Sequence, residues 1–166
     1  MRKISKKRVA IALVLLSALA TMPVLTSCGS KPSHATLVDE QPHIFPDYTG
    51  TTIPVDIAPL DFNVVGDSLQ SVFVTVRGSK EGEMEAHGDY ADFDVDDWHK
   101  LTEANKGGQL TFTVYARQGG EWKQYRDFTV EVSNDPLGEW GLTYRLIPPG
   151  YEVYGKMGIY QRDLSN

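Results

Sequence analysis

Cysteine is the scarcest reactive residue in this chain of 166 amino acids, because only Cys28 is present. One thiol allows no internal disulfide bond, no Cys-x-x-Cys-His haem attachment run and no zinc site built from several cysteines. The four histidines lack the spacing of a His-x-x-x-His metal pair, and the sequence contains neither a Gly-x-Ser-x-Gly nucleophile elbow nor a glycine-rich phosphate loop. We therefore expect no cofactor, and no catalytic residue is indicated.

Basic residues are scarce beyond the first eight positions of the chain. Five of the 16 lysines and arginines lie there: Arg2, Lys3, Lys6, Lys7 and Arg8. Removal of a leader of 27 residues would leave 11 basic against 22 acidic residues, a net charge of −11. Such a body repels phosphate backbones and anionic lipid surfaces, which argues against nucleic acid as a partner and against membrane adhesion through a basic patch.

The five basic residues lead into an apolar run that begins at Val9 and extends to Leu25. Ser17, Thr21 and Pro23 interrupt this run, whereas a transmembrane helix needs about 20 apolar residues. A charged start followed by a short apolar segment is typical of an export signal. The sequence therefore predicts a signal peptide over residues 1–27, with a transmembrane helix as the less favoured alternative.

Small residues precede the single thiol in Leu25-Thr26-Ser27-Cys28, which resembles the lipobox of bacterial lipoproteins. The resemblance implies that Cys28 is diacylated on sulfur, cleaved from Ser27 and acylated on its new amino group. Several acyl chains anchor a protein firmly to a bilayer. We expect a membrane-anchored lipoprotein that is periplasmic or at the cell surface, with the Gram-negative outer membrane favoured. The alternative is that Cys28 is an incidental thiol.

The remaining chain divides into three segments. Small polar residues behind Cys28 predict a flexible tether over residues 28–41. Residues 42–135 show strand-like alternation at 60–64, 71–77, 110–117 and 128–132, and Gln118 to Glu121 has the glycines of a tight hairpin turn. A short helix is predicted from Asp94 or Asp96 to the stop at Lys106-Gly107-Gly108. The pattern predicts an all-β, immunoglobulin-like or fibronectin-type antiparallel β-sandwich with one short helix.

Eight acidic residues without an intervening lysine or arginine form the densest polar stretch: Glu81, Glu83, Glu85, Asp89, Asp92, Asp94, Asp96 and Asp97. Asp92, Asp94, Asp96 and Glu103 match positions 1, 3, 5 and 12 of an EF-hand loop and are weak calcium candidates. Position 6 of that loop needs glycine, and this chain has aspartate there. The alternative is that Phe93 and Val95 point into the core while the aspartates point into water.

Six aromatic residues provide a second candidate site, a stacking platform for sugars: Trp98, Trp122, Trp140, Tyr115, Tyr125 and Tyr144. Aromatic residues of a small sandwich more commonly lie in the core or beside a hairpin. The sequence therefore favours packing roles for these six side chains and leaves the sugar platform as an alternative.

Four segments of the chain look like the opening domain of a family of exported proteins: 44–50, 52–62, 144–151 and 158–164. In that family an N-terminal β-rich domain precedes a TolB-like β-propeller, and some members have been labelled cytochrome c biogenesis proteins. The resemblance covers most of the chain behind the leader but implies no catalytic residues. It implies that this chain ends, at Asn166, where the propeller is expected to begin.

Residues 136–166 are rich in aromatic groups and interrupted by proline and glycine. We expect an extended tail with little regular structure and with an exposed patch around Tyr151, Tyr154 and Tyr160. Exposed aromatic patches mark interaction surfaces or aggregation liabilities. The alternative is that the tail packs fully onto its own domain. The expected partner is an envelope protein or the propeller domain.

Two functions remain open at this point. The favoured function is a non-catalytic binding or spacer module in the cell envelope, and the alternative is an accessory component of a glycan-acting enzyme system. A deep cleft with convergent carboxylates would favour the enzyme system. Acidic residues dispersed over a convex face would favour the spacer.

Overall fold

The computed structural model describes residues 30–138, 141–146 and 158–166. It contains one short helix, α1 (Val95–Ala104), among eleven strands in these ranges. The strands in chain order are β1 (Thr36–Leu37), β2 (Ile44–Phe45), β3 (Thr52–Ile53), β4 (Asn63–Val64), β5 (Leu69–Gly78), β6 (Glu83–Gly88), β7 (Gln109–Gln118), β8 (Glu121–Gln124), β9 (Phe128–Val132), β10 (Leu142–Leu146) and β11 (Gly158–Arg162). This confirms the all-β class with one short helix.

The main sheet has seven strands, in the order β1-β8-β7-β5-β6 with β9 also on β7 and β3 on β9. The long strands pair antiparallel, as the alternation predicts, but β1–β8 and β3–β9 are parallel. The sheet is therefore mixed. A second small sheet, β2–β4, and the α1 helix contribute to the other side of the core.

The chain turns from β7 into β8 through Gly119 and Gly120, whose φ angles are positive, 59° and 90° respectively. Only residues that tolerate positive φ fit such a two-residue turn, so the predicted hairpin is confirmed. The returning chain stays on the same edge of β7: β8 pairs with residues 115–118, and β9 pairs with residues 109–112.

The core lies on one face of the main sheet, where Val72, Val74 and Val76 are all within 1% of full burial. Aromatic rings fill the centre, with Phe112 stacked on Phe128 at 4.8 Å between ring centroids. Phe62, which directly precedes the two-residue strand β4, contacts both of these rings. The predicted alternation of residues 60–64 thus identified buried residues correctly.

The α1 helix begins and ends at polar caps. The carboxylate of Asp94 accepts a hydrogen bond from the Asp97 N–H at 3.0 Å, and Asn105 is the C-cap. An N-cap carboxylate satisfies one of the free N–H groups of the first turn. The helix position predicted from the sequence is confirmed.

The predictions for the tether and for the tail need correction. Residues 36–40 belong to the sheet edge and not to a flexible tether, because β1 pairs with β8 and the Arg126 N–H donates to the Glu40 carbonyl at 2.9 Å. The tail is not without regular structure, because β10 and β11 form an antiparallel hairpin. Gly158, one of the glycines in this segment, is the first residue of β11 and does not interrupt the strand.

Within the described ranges, no helix is both long enough and apolar enough to cross a membrane.

Candidate functional site

A groove of about 490 Å³ runs between β6 and α1. Three consecutive strand residues line it, Glu83, Met84 and Glu85. Neighbouring residues of a strand point to opposite faces of the sheet. A groove that touches all three therefore follows the edge of β6 and not one of its faces.

The other wall of the groove is one stripe of the helix. Asp94, Asp97, Leu101 and Ala104 line it, with Lys100 beside them. Steps of three and four residues lie on the same side of a helix. Met84, Leu101 and Ala104 supply an apolar floor beneath the acidic rim.

The groove lies at an open edge of the main sheet. β6 is the last strand in the order, and among the described strands only β5 pairs with it. The Gly78 N–H donates to the Gly82 carbonyl at 3.0 Å, which fixes the phase of the β5–β6 ladder. Because ladder bonds alternate along an antiparallel pair, the backbone groups of Glu83 and Glu85 point away from β5.

The rim of the groove carries five of the eight acidic residues in the dense polar stretch: Glu81, Glu83, Glu85, Asp94 and Asp97. Two of them have basic neighbours, since Arg77 binds Glu83 at 2.9 Å and Lys100 binds Asp97 at 2.7 Å. These exposed pairs are weak. The hydrogen bond to Asp97 and, to a smaller extent, the negative charge of Asp97 raise the pKa of Lys100. The rim remains net negative.

This placement differs from the expectation of acidic residues dispersed over a convex face. Sequence reasoning found the acidic residues but not the groove, because their convergence depends on how α1 packs beside β6. The pattern that could have indicated it is the helical spacing of Asp94, Asp97 and Leu101.

The EF-hand hypothesis for Asp92, Asp94, Asp96 and Glu103 is wrong. Asp94 caps a helix, and Asp96 and Glu103 lie within it about 10 Å apart along the axis. An EF-hand loop wraps around the ion and needs a sharp turn at its sixth position. In the part of the chain that the structure describes, no three acidic, histidine or cysteine side chains gather around a metal position.

The sugar platform does not form from the residues named for it. Trp98 is fully buried in the core, and its indole N–H donates to the Ile57 carbonyl at 3.0 Å. Tyr115 is also buried, Tyr125 packs against the core and Trp122 is half-buried on β8. Trp140 lies outside the described residues, and Tyr144 belongs to the tail hairpin. A deep cleft with carboxylates would have favoured an enzyme, but Asp89, Asp92 and Trp98 do not surround one, because Trp98 lies inside the core.

One carboxyl group with a shifted pKa has a structural explanation. Burial raises the pKa of Asp61, the Phe93 N–H that donates to it at 3.0 Å opposes this rise, and the nearby Asp92 charge adds to it. Asp61 thus links the segment before β4 to the segment before α1. It lines neither wall of the groove.

The expected tail patch is visible in part. Tyr160 is 42% exposed and stacks on Tyr144 across the β10–β11 hairpin, with 5.7 Å between ring centroids. Leu142 and Ile159 of the same hairpin are also exposed. Tyr151, Tyr154 and the lipidation candidate Cys28 lie outside the described residues.

Comparison with protein-family models, curated proteins and solved structures finds no significant match for this chain. The resemblance to exported proteins with a TolB-like propeller stays a prediction.

Proposed function

We propose that this protein is a lipid-anchored component of the cell envelope and that its β domain is a non-catalytic binding or spacer module. The leader and Cys28 support export and anchoring. The open edge of β6 and its groove support a binding role over a purely inert spacer, because an unpaired strand edge can accept another strand.

The observation that carries the proposal is the short path between Cys28 and the domain. Seven residues separate Cys28 from β1, and Lys31 already contacts the sheet, with its Nζ 5.7 Å from the centroid of the Tyr115 ring. An extended chain spans at most about 3.5 Å per residue, so Lys31 lies within about 11 Å of Cys28. A lipid on Cys28 would hold this part of the sheet near the membrane surface.

Metabolic labelling with a fatty-acid analogue tests the anchor. We expect the wild-type chain to take up the label and to sediment with membranes, and Cys28→Ala and Cys28→Ser to lose both properties. Ser33→Ala is the matched control, because it changes a small residue outside Leu25-Thr26-Ser27-Cys28 and leaves the motif and its thiol in place. Equal labelling of wild type and Cys28→Ala would overturn the proposal.

The predicted family adds a second part to the proposal. If the chain is the N-terminal part of a propeller-containing protein, the β domain stands between the lipid anchor and the propeller. The exposed apolar side chains of the tail hairpin support a neighbour at this end. An immunoblot of envelope fractions with an antibody against residues 42–135 would then detect a product much larger than 18.5 kDa. A product of that size or smaller would contradict this part.

A further inference from the structure

We propose that the groove between β6 and α1 binds an extended, basic segment of a partner protein, which adds to the main sheet as a new strand beside β6. The inference rests on the proposed binding role and names the chemistry of the partner. It stands on three observations: an unpaired strand edge, an apolar floor and a net negative rim.

The strand edge supplies the backbone partners. The outward N–H and C=O groups of Glu83 and Glu85 follow from the phase of the β5–β6 ladder, and no described strand covers them. Strand addition uses such groups for affinity and uses pockets for alternate side chains for specificity. The apolar floor of Met84, Leu101 and Ala104 is placed to receive one of these side chains.

Charge selects the occupant. In an added strand, side chains that face Glu83 and Glu85 lie directly across from them, and like charges in that position are destabilising. A second copy paired through β6 would bring glutamates against glutamates. A segment in which lysine or arginine alternates with an apolar residue would place positive charge on the rim and its apolar side chains over the floor.

The acidic side chains at the edge of β6 also protect the free protein from unwanted strand pairing. Charged side chains on an edge strand discourage pairing with other chains. The same glutamates therefore repel a second copy and attract a basic segment. One set of residues both prevents self-association and selects the partner.

Peptide titration tests the proposal on the protein purified from cells in a neutral detergent. The probe is an acetylated and amidated Lys-Val-Lys-Val-Lys peptide, and the control peptide has Glu in place of each Lys. We expect the basic peptide to bind, the acidic peptide not to bind, and the affinity of the basic peptide to fall with added salt. Absence of binding by the basic peptide would overturn the proposal.

Charge variants test whether the acidic rim of the groove contributes to peptide binding. Glu83→Gln combined with Glu85→Gln should weaken binding by about tenfold, since rim charges contribute to electrostatic complementarity. Glu121→Gln combined with Asp127→Asn removes the same charge from the opposite side of the sheet and should leave binding unchanged. Equal losses in the two pairs would mean non-specific attraction and would contradict the groove.

Variants that remove a backbone N–H test whether the peptide pairs with the edge of β6. Glu85→Pro removes an outward N–H and keeps the β5–β6 ladder, whereas Glu85→Ala removes only the carboxylate. We expect the proline variant to bind at least about tenfold more weakly than the alanine variant. A basic peptide with N-methyl groups on alternate residues tests the same bonds without changing the protein, and its affinity should fall similarly. Unchanged affinity of the methylated peptide would overturn strand addition.

Two further results separate this proposal from others. A wild-type dimer that dissociates on Glu85→Pro substitution would assign the edge to a second copy and overturn a basic partner. If the basic peptide fails to bind while Cys28 is still labelled with lipid, the groove proposal fails and the anchored module stands. If Cys28 is unlabelled and the basic peptide binds, the lipid anchor is wrong and the groove proposal stands.

Discussion

The side-chain amide of Asn105 binds both backbone groups of Glu81: its Nδ2 donates to the Glu81 carbonyl at 2.7 Å, and its Oδ1 accepts from the Glu81 N–H at 3.3 Å. The same Oδ1 also accepts from the Lys80 N–H at 2.8 Å. Asn105 is fully buried and joins the end of α1 to the turn between β5 and β6. It therefore fixes the two walls of the groove relative to each other.

Replacement of Asn105 by alanine should destabilise the protein by about 2–4 kcal/mol, because backbone groups of Lys80, Glu81 and Leu101 lose their buried partner. Chemical denaturation followed by tryptophan fluorescence measures this change. Gln109→Ala, which removes an exposed bond to Glu131, is the control and should cost less than about 0.5 kcal/mol. Similar values for both variants would contradict the role given to Asn105.

Gly78→Ala should also destabilise the protein, by about 1–3 kcal/mol, because a Cβ atom there would overlap the Asn105 amide and the Glu81 carbonyl. The clash with Asn105 disappears when that side chain is absent. We therefore expect Gly78→Ala to cost less in an Asn105→Ala background, as measured by a double-mutant cycle. Additive costs would show that the two positions do not act through this contact.

Trp98→Phe should cost about 2–4 kcal/mol, because it leaves the Ile57 carbonyl without its donor and opens a cavity beside Phe93 and Phe112. Trp122→Phe, at a half-buried position on β8, should cost less than about 1 kcal/mol. Thermal unfolding followed by circular dichroism distinguishes the two. A Trp98 variant as stable as the Trp122 variant would refute the packing role of Trp98.

Asp61→Asn should raise the unfolding midpoint at neutral pH. Burial raises the pKa of Asp61 in the folded protein above its ordinary value of 3.8, so ionisation of this group disfavours the folded state. The unfavourable effect is fully present above the folded-state pKa and is absent below the unfolded-state pKa. Asparagine keeps an oxygen that can accept from the Phe93 N–H. The gain should therefore vanish as the pH falls below about 4.

Thermal unfolding from pH 3 to pH 8 measures this dependence. Asp92→Asn is the companion variant, because it removes a neighbouring charge that raises the Asp61 pKa and should give a smaller gain at neutral pH. A gain from Asp61→Asn that is the same at both ends of the range would contradict the ionisation argument.

Tyr160→Ser should reduce the binding of a dye for exposed apolar surface and should leave the unfolding midpoint of the β domain nearly unchanged. Tyr160 stacks on Tyr144, and β10 and β11 pair only with each other among the described strands. Tyr90→Ser removes a tyrosine of similar exposure elsewhere and is the control for dye binding. A large loss of stability would mean that the hairpin belongs to the main core.

Much of the fold could be predicted because local patterns determine it. The valines of β5, the alternation of β7 and the glycines at 119 and 120 each encode an element within a few residues. The helix was predictable from its cap Asp94 and from the glycines that follow it. These signals need no knowledge of distant parts of the chain.

The parts that were missed depend on distant partners. β1 and β3 have only two residues each, too few to show a period, and they exist because β8 and β9 lie beside them. The burial of Asn105 has no sequence signal, because an asparagine that follows a helix is a familiar cap and its position does not show whether it is buried. The groove was missed for the same reason, because its walls come from separate elements.

The two parallel pairs of the main sheet join segments that lie far apart in the chain. β5–β6 and β7–β8 join neighbouring segments. By contrast, the partner of Thr36 in β1 is Lys123 in β8, and the partner of Thr52 in β3 is Glu131 in β9. Contacts between distant segments form slowly because they close long loops. The residues of β1 and β3 are synthesised early, yet they acquire their sheet partners only after β8 and β9 have been made. A chain that emerges from its N-terminus therefore keeps β1 unpaired until residue 124 has followed it, and β3 unpaired until residue 132 has followed it.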